Sequence, residues 1–172
     1  MHPSLAGYPL LTLLGSAWLR VVPESAGTPA ARLSLLCCVL AAGAAVLLGR
    51  AAARVSGGEW EGLLAAATFA FSPLVWRLSV QYEVFALNNL LCAALLFLTA
   101  HFSIERRRWA AYAGALVCGL TLANQHTALL LVAALVPFVL AMDPGLLRPA
   151  PLAALSALSL LGAAPPPPPP PP

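Results

Sequence analysis

From Arg32 onward the chain is a succession of apolar runs, each closed by arginine or by a short polar break. Arg32 to Gly49 is almost pure Leu, Val, Ala and Cys and ends in Arg50 and Arg54. Leu63 to Val75 follows the polar loop SGGEWEG, and Val84 to Phe102 ends at SIERRRW. Ala110 to Leu122 rises to Asn124-Gln125-His126-Thr127, Ala128 to Met142 ends at MDPGLLRP, and Leu152 to Ala164 begins one more apolar helix. Across the 172 residues, 60% are hydrophobic and 9% charged, against about 25% charged in a soluble domain. A soluble core of this size cannot bury so much apolar surface, so lipid is the expected solvent. In lipid every backbone polar group must be satisfied within the segment, which leaves helices for runs of this kind. The expected fold is all-α, a polytopic transmembrane helix bundle.

The arginines then assign sides. Short arginine-rich loops stay in the cytosol, and Arg50 with Arg54, Arg106 to Arg108, and Arg148 fall at every second loop. The alternation sends the N-terminal stretch, Phe71 to Asn89, and Asn124 to Thr127 to the opposite, luminal face. The start, Tyr8 to Val22, is short for a span, which takes about 20 residues. With Trp18 and Arg20 near its end it reads as an interfacial helix before the breaks at Pro23, Gly27 and Pro29. It lacks the basic n-region of a signal peptide.

Several function classes find no support. The chain has no lysine, and its net charge of +3 comes from arginines spread over separate loops rather than one nucleic-acid-binding face. No Walker loop or GxGxxG is present. Cys37, Cys38, Cys92 and Cys118 lie in apolar runs without CxxC spacing, as packed thiols do. His2, His101 and His126 are isolated, so no metal-ligand spacing occurs.

The polarity that does need explaining lies in FSPLVWRLSVQYEVFALNNL and in NQHT. Ionisable and amide groups at membrane depth persist mostly where they line a pathway or a site; otherwise the first segment is simply a loop joining two spans. Glu83 is its only carboxylate, and a helix N-terminal charge is the competing reading. Arg77 lies too far along for a same-face pair with Glu83 unless the segment bends. Asn88 and Asn89, one turn into the next run, either glue helices together or line a cavity. Capping accounts for Asn124 or Thr127 but not for Gln125 and His126 beside them.

The succession HPSLAGYPLLTLL, ARLSLLCCVL, RVSGGEWEGLLAAATFAFSPLVWRLSVQYEVFALNNL, LTAHF and GLTLANQHT resembles the transmembrane protein 260 family, from His2 to about Met142. EVFALNN and NQHT in that order and spacing make the resemblance specific. It implies an endoplasmic-reticulum protein O-mannosyltransferase with a GT-C membrane fold and a lumen-facing site. The implied donor is dolichyl-phosphate mannose, with no bound cofactor or metal. The implied acceptors are Ser and Thr of immunoglobulin-like plexin-transcription-factor domains on plexin-type and receptor tyrosine kinase ectodomains. His2, Tyr8, Arg77, Glu83, Asn88, Asn89, Asn124, Gln125 and His126 are the expected substrate-binding residues.

The family pattern carries a GDSGEL-like stretch before HP-x-GYP, and its Asp is the usual catalytic candidate. This chain begins at Met1-His2, after that stretch, and has Ser4, Leu5 and Ala6 where the pattern has one residue. The expectation is a fragment, inactive alone, with residues 1–164 as part of the GT-C domain. The run Pro165 to Pro172 is limited to polyproline II and is expected to be an artefact. A transporter or channel subunit is the rival reading, although such proteins more often show internal repeats with broken helices.

Overall fold

The structure, a computed structural model, describes residues 9–164. It contains eight α-helices: α1 (Pro9–Val21), α2 (Pro29–Ser56), α3 (Glu59–Ala70), α4 (Pro73–Ser79), α5 (Val84–Glu105), α6 (Arg108–Asn124), α7 (Leu129–Met142) and α8 (Pro149–Ala163). No strand occurs among the described residues. The all-α bundle expected from the apolar runs is what forms.

The helix boundaries follow local chemistry. Helix α2 starts where Thr28 caps it by accepting from the Ala31 amide at 3.3 Å, with Pro29 preset for the first turn. It ends at Gly57, whose φ of +79° is the left-handed conformation a helix stop favours. At 28 residues it is about 42 Å long, well beyond a hydrocarbon core of about 30 Å. Helix α5, 22 residues, is the second element long and apolar enough to cross a membrane. Helices α3 and α4 would together form a third, but they bend by 63° at the Phe71–Ser72 break before Pro73. The expected run Leu63 to Val75 is therefore a broken helix.

The remaining helices are shorter than the alternation of loops requires for simple spans. Helix α6 has 17 residues and α7 has 14, with Pro137 inside it. Their lengths are about 26 and 21 Å. Helix α6 ends at Asn124, the first residue of the NQHT segment.

Helices α5 and α6 form an antiparallel hairpin across Arg106 and Arg107. Arg106 takes the left-handed conformation, φ 57°, and donates from Nη1 to the Met142 carbonyl at 2.6 Å. At this end Glu105 gathers Arg54 at 2.8 Å, His101 at 3.3 Å and Arg107 at 3.4 Å, while Arg108 pairs with Asp143 at 3.0 Å. The loops that the alternation groups as basic are thus joined at one end of the bundle. Helices α2 and α3 approach closely through Gly49 and Gly62: a Cβ on Gly49 would lie 2.8 Å from the Gly62 carbonyl oxygen. Small residues permit this approach where lipid supplies no hydrophobic drive between helices.

Three apolar clusters fill the interior. Phe102, Ala110, Ala111 and Leu146 close the basic end. Leu95, Cys118 and Val132 sit at mid-height, and Leu11, Leu87 and Leu91 join α1 to α5 at the opposite end. Cys37 and Cys118 are buried and Cys38 and Cys92 partly so, all as free thiols.

Candidate functional site

The end of the bundle opposite the arginine network is built by the start of α5, the end of α6, and α1 lying across them. Leu11 of α1 packs on Leu87 and Leu91, with Leu10, Tyr82, Val117 and Leu120 around it. A cleft of about 340 Å³ opens beside it, lined by Pro9, Leu10 and Leu13 of α1, Leu120 and Ala123 of α6, and the end of α8. The interfacial helix read from Tyr8 to Val22 is α1, roofing the α5–α6 seam. A smaller apolar groove of about 230 Å³ lies lower, between α5, α6, α7 and α8, and neither hollow is lined by any of the expected site residues.

Arg32 anchors the roof. It is 7% exposed, and its Nη1 donates to the carbonyls of Leu19 at 3.3 Å and Val22 at 2.8 Å. A guanidinium so placed satisfies carbonyls that the last turn of α1 leaves free and complements the negative end of its dipole. Trp18 Nε1 donates back to the Arg32 carbonyl at 2.7 Å. At the other part of α1, Tyr82 donates from its hydroxyl to the Leu11 carbonyl at 2.8 Å. Burial pushes the Tyr82 phenol above its ordinary value, so it remains a neutral donor.

The expected residues divide into two groups. His2 and Tyr8 lie outside the described residues. Arg77, on the short α4, and Glu83, at the N-cap position of α5, are both exposed. No ion pair joins them among the described residues, and the Glu83 side chain makes no cap hydrogen bond. His126 is exposed in a 3₁₀ turn between α6 and α7.

The amides form the second group. Asn89 is partly buried. Asn88 is partly buried with its Oδ1 enclosed and unpartnered. Asn124 is 1% exposed, and neither of its amide atoms has a hydrogen-bond partner. Gln125, in extended backbone at φ −155°, also has an enclosed and unpartnered Oε1. Capping does not account for Asn124: the cap position of the following turn belongs to Gln125, without a side-chain cap bond. The antiparallel α5–α6 hairpin places these three amides at one level, Asn88 one turn into α5 and Asn124 at the last turn of α6.

An unpartnered buried amide atom costs about 1–3 kcal/mol, and buried polar groups in native proteins nearly always find a partner. Three such residues at one end make a donor and acceptor set with free capacity. The chemistry available is recognition of hydroxyl-rich or anionic groups by neutral amides. A carboxylate, Glu83, and an imidazole, His126, are exposed in the chain just before α5 and just after α6. No group of three or more His, Cys, Asp or Glu side chains could hold a metal ion among the described residues.

Sequence reasoning missed Arg32, Gly15 and the role of Tyr82.

The family model described as the Protein O-mannosyl-transferase TMEM260 N-terminal domain matches residues 1–144. The chain is 43% identical over 143 residues to Protein O-mannosyl-transferase TMEM260 of Mus musculus, covering 81% of this chain and 20% of that protein. It is 33% identical over 153 residues to Protein O-mannosyl-transferase tmem260 of Dictyostelium discoideum, covering 80% of this chain and 18% of that one. The chain therefore spans about a fifth of the length of the curated relatives it matches. No solved structure matches it.

Proposed function

The chain belongs to the TMEM260 family of protein O-mannosyl-transferases, and from that premise we propose that it forms part of the membrane domain of a protein O-mannosyltransferase of GT-C type. The membrane is that of the endoplasmic reticulum, crossed several times, with the arginine end in the cytosol and the amide end facing the lumen. Residues 1–164 belong to that domain. The donor is dolichyl-phosphate mannose, and the acceptors are Ser and Thr hydroxyls of immunoglobulin-like plexin-transcription-factor domains on receptor ectodomains.

The observation that carries the reading is that Asn88, Asn124 and Gln125, each with enclosed and unpartnered amide atoms, all lie at the end opposite the arginines. Neutral amides held below the interface suit a lipid-linked sugar phosphate, whose mannose hydroxyls need both donors and acceptors. Glu83 and His126, both exposed, are assigned to the acceptor protein. Arg77, exposed on α4, is assigned to the donor phosphate. His2 and Tyr8 stand immediately before α1 in the chain and are assigned to the same end. Removing the acceptor proton falls to a carboxylate supplied from outside these residues. A positioned base typically contributes about 10²–10⁴-fold.

The test is mannose transfer to a receptor domain in microsomes by a full-length enzyme of this family containing this region. Glu83→Gln and His126→Ala are expected to lower transfer at normal protein levels. Unchanged turnover in both would remove these two residues from the site.

A further inference from the structure

Tyr82 sits in the turn between α4 and α5, yet its hydroxyl reaches the Leu11 carbonyl, far away in sequence, at 2.8 Å. The ring lies over Gly15, one turn further along α1. A Cβ on Gly15 would collide with Tyr82 Oη, stand 3.0 Å from Cζ, and stand 3.1 Å from Leu33 Cδ2. The carbonyl that receives the bond and the residue that must lack a side chain are Leu11 and Gly15. Their i, i+4 spacing puts both on one face of α1, the face that Leu11 turns to Leu87 and Leu91.

We infer that Tyr82 is a positioning residue: with Gly15 it forms a lock that sets the register of α1 over the α5–α6 seam. As a determinant of mannose transfer this rests on the functional reading above. The contacts of α1 explain why register matters. Leu11 touches Leu87, the chain neighbour of Asn88, and Leu10 and Leu13 share a cleft with Ala123, the chain neighbour of Asn124. A slide of α1 by one residue would rotate its apolar contacts by about 100° and lift the roof from both amides. Arg32 and Trp18 hold the other end of α1 through carbonyl contacts. Those contacts hold the C-terminal end, and the lock sets the rotation of α1 at its Leu11 end. The lock also ties the polar segment before α5 to α1, so the exposed Glu83, next in sequence to Tyr82, is carried on the same joint.

The lock makes a specific prediction for paired substitutions. Arg20 is exposed near the end of α1, so tryptic cleavage after it reports how often α1 opens, because cleavage follows the open population when closing is fast. In the 172-residue chain solubilised in detergent, Tyr82→Phe is expected to speed that cleavage about 2- to 12-fold, the loss of one neutral hydrogen bond. Gly15→Ala is expected to speed it about 5- to 150-fold, from overpacking against the phenol. In the double variant the missing hydroxyl makes room for the new methyl, so cleavage is slower than in Gly15→Ala alone. Independent effects, with the double variant cleaved fastest, would overturn the lock.

A second arm measures transfer by the full-length family enzyme. Gly15→Ala is expected to lower kcat with little change in donor KM, and Tyr82→Phe is expected to restore part of it. A cleavage rescue without a kcat rescue would overturn the positioning role and leave the functional reading standing. Absence of transfer by the unsubstituted enzyme would sink the functional reading, while the cleavage arm would still decide the lock.

Discussion

Asn124→Ala separates a site amide from a structural one. The side chain is 1% exposed at the last turn of α6, and both of its amide atoms are enclosed without partners. Each such atom costs about 1–3 kcal/mol. Truncation loses about 1 kcal/mol of packing from the deleted group, and alanine is the better helix former by about 0.5 kcal/mol. In a membrane the less ordered state also finds partners for amides, which holds the penalty to its lower end. The balance is a gain of about 1–2 kcal/mol in stability. If the amide binds sugar or phosphate, the same change costs about 10- to 100-fold in transfer, as for a hydrogen bond to a charged or polar ligand group. The assay pairs thermal unfolding in detergent with mannose transfer in microsomes. A destabilised variant would mean that Asn124 already bonds a neighbouring helix. A stabilised variant with unaltered transfer would place the amide outside the site. Either result refutes the reasoning.

Three other outcomes follow from the packing. Arg32→Met is expected to cost about 1.5–3 kcal/mol, the value of charged hydrogen bonds to carbonyls, seen as faster amide exchange confined to the last turns of α1. Gly49→Leu is expected to cost at least about 1–3 kcal/mol, because even its Cβ would press on the Gly62 carbonyl and on Ala66; thermal unfolding reads it. Gly114→Ala, where nothing lies within 4 Å of a new Cβ, is expected to be neutral or to stabilise by about 0.5–1 kcal/mol, and the same scan serves as its control.

Much of this arrangement was legible in the order of residues. Apolar period and arginine spacing located the helices, and the structure joins Arg54, Arg107 and Arg108 at one end through Glu105 and Asp143. The resemblance carried by EVFALNN and NQHT pointed to the family that the comparisons identify. The elbow between α3 and α4 has a signal in Ser72-Pro73, since a proline inside a helical run ends or kinks it, but hydropathy alone joins Leu63 to Val75 into one run. The extents of α6 and α7 were legible: the runs Ala110 to Leu122 and Ala128 to Met142 end within two residues of the helices that form. Tyr82 and Gly15 are distant in sequence, and a contact of that range leaves no periodic trace. The division of the polar residues into a buried amide group and an exposed group likewise depends on helix rotation. Asn88 and Asn89 are neighbours of equal polarity in the sequence, yet only Asn88 encloses an unpartnered oxygen.

The central claim is that the amide end faces the lumen and the arginine end the cytosol. An N-glycosylation acceptor on a flexible insert measures this directly, placed either between Ser25 and Ala26 or between Gly57 and Gly58. The first joint lies beside the α1–α2 clamp at the amide end, and the second follows α2 at the arginine end. In microsomes the account predicts glycosylation of the first insert and none of the second. Glycosylation of the Gly57–Gly58 insert, with the Ser25–Ala26 insert unmodified, would reverse the orientation and contradict the claim.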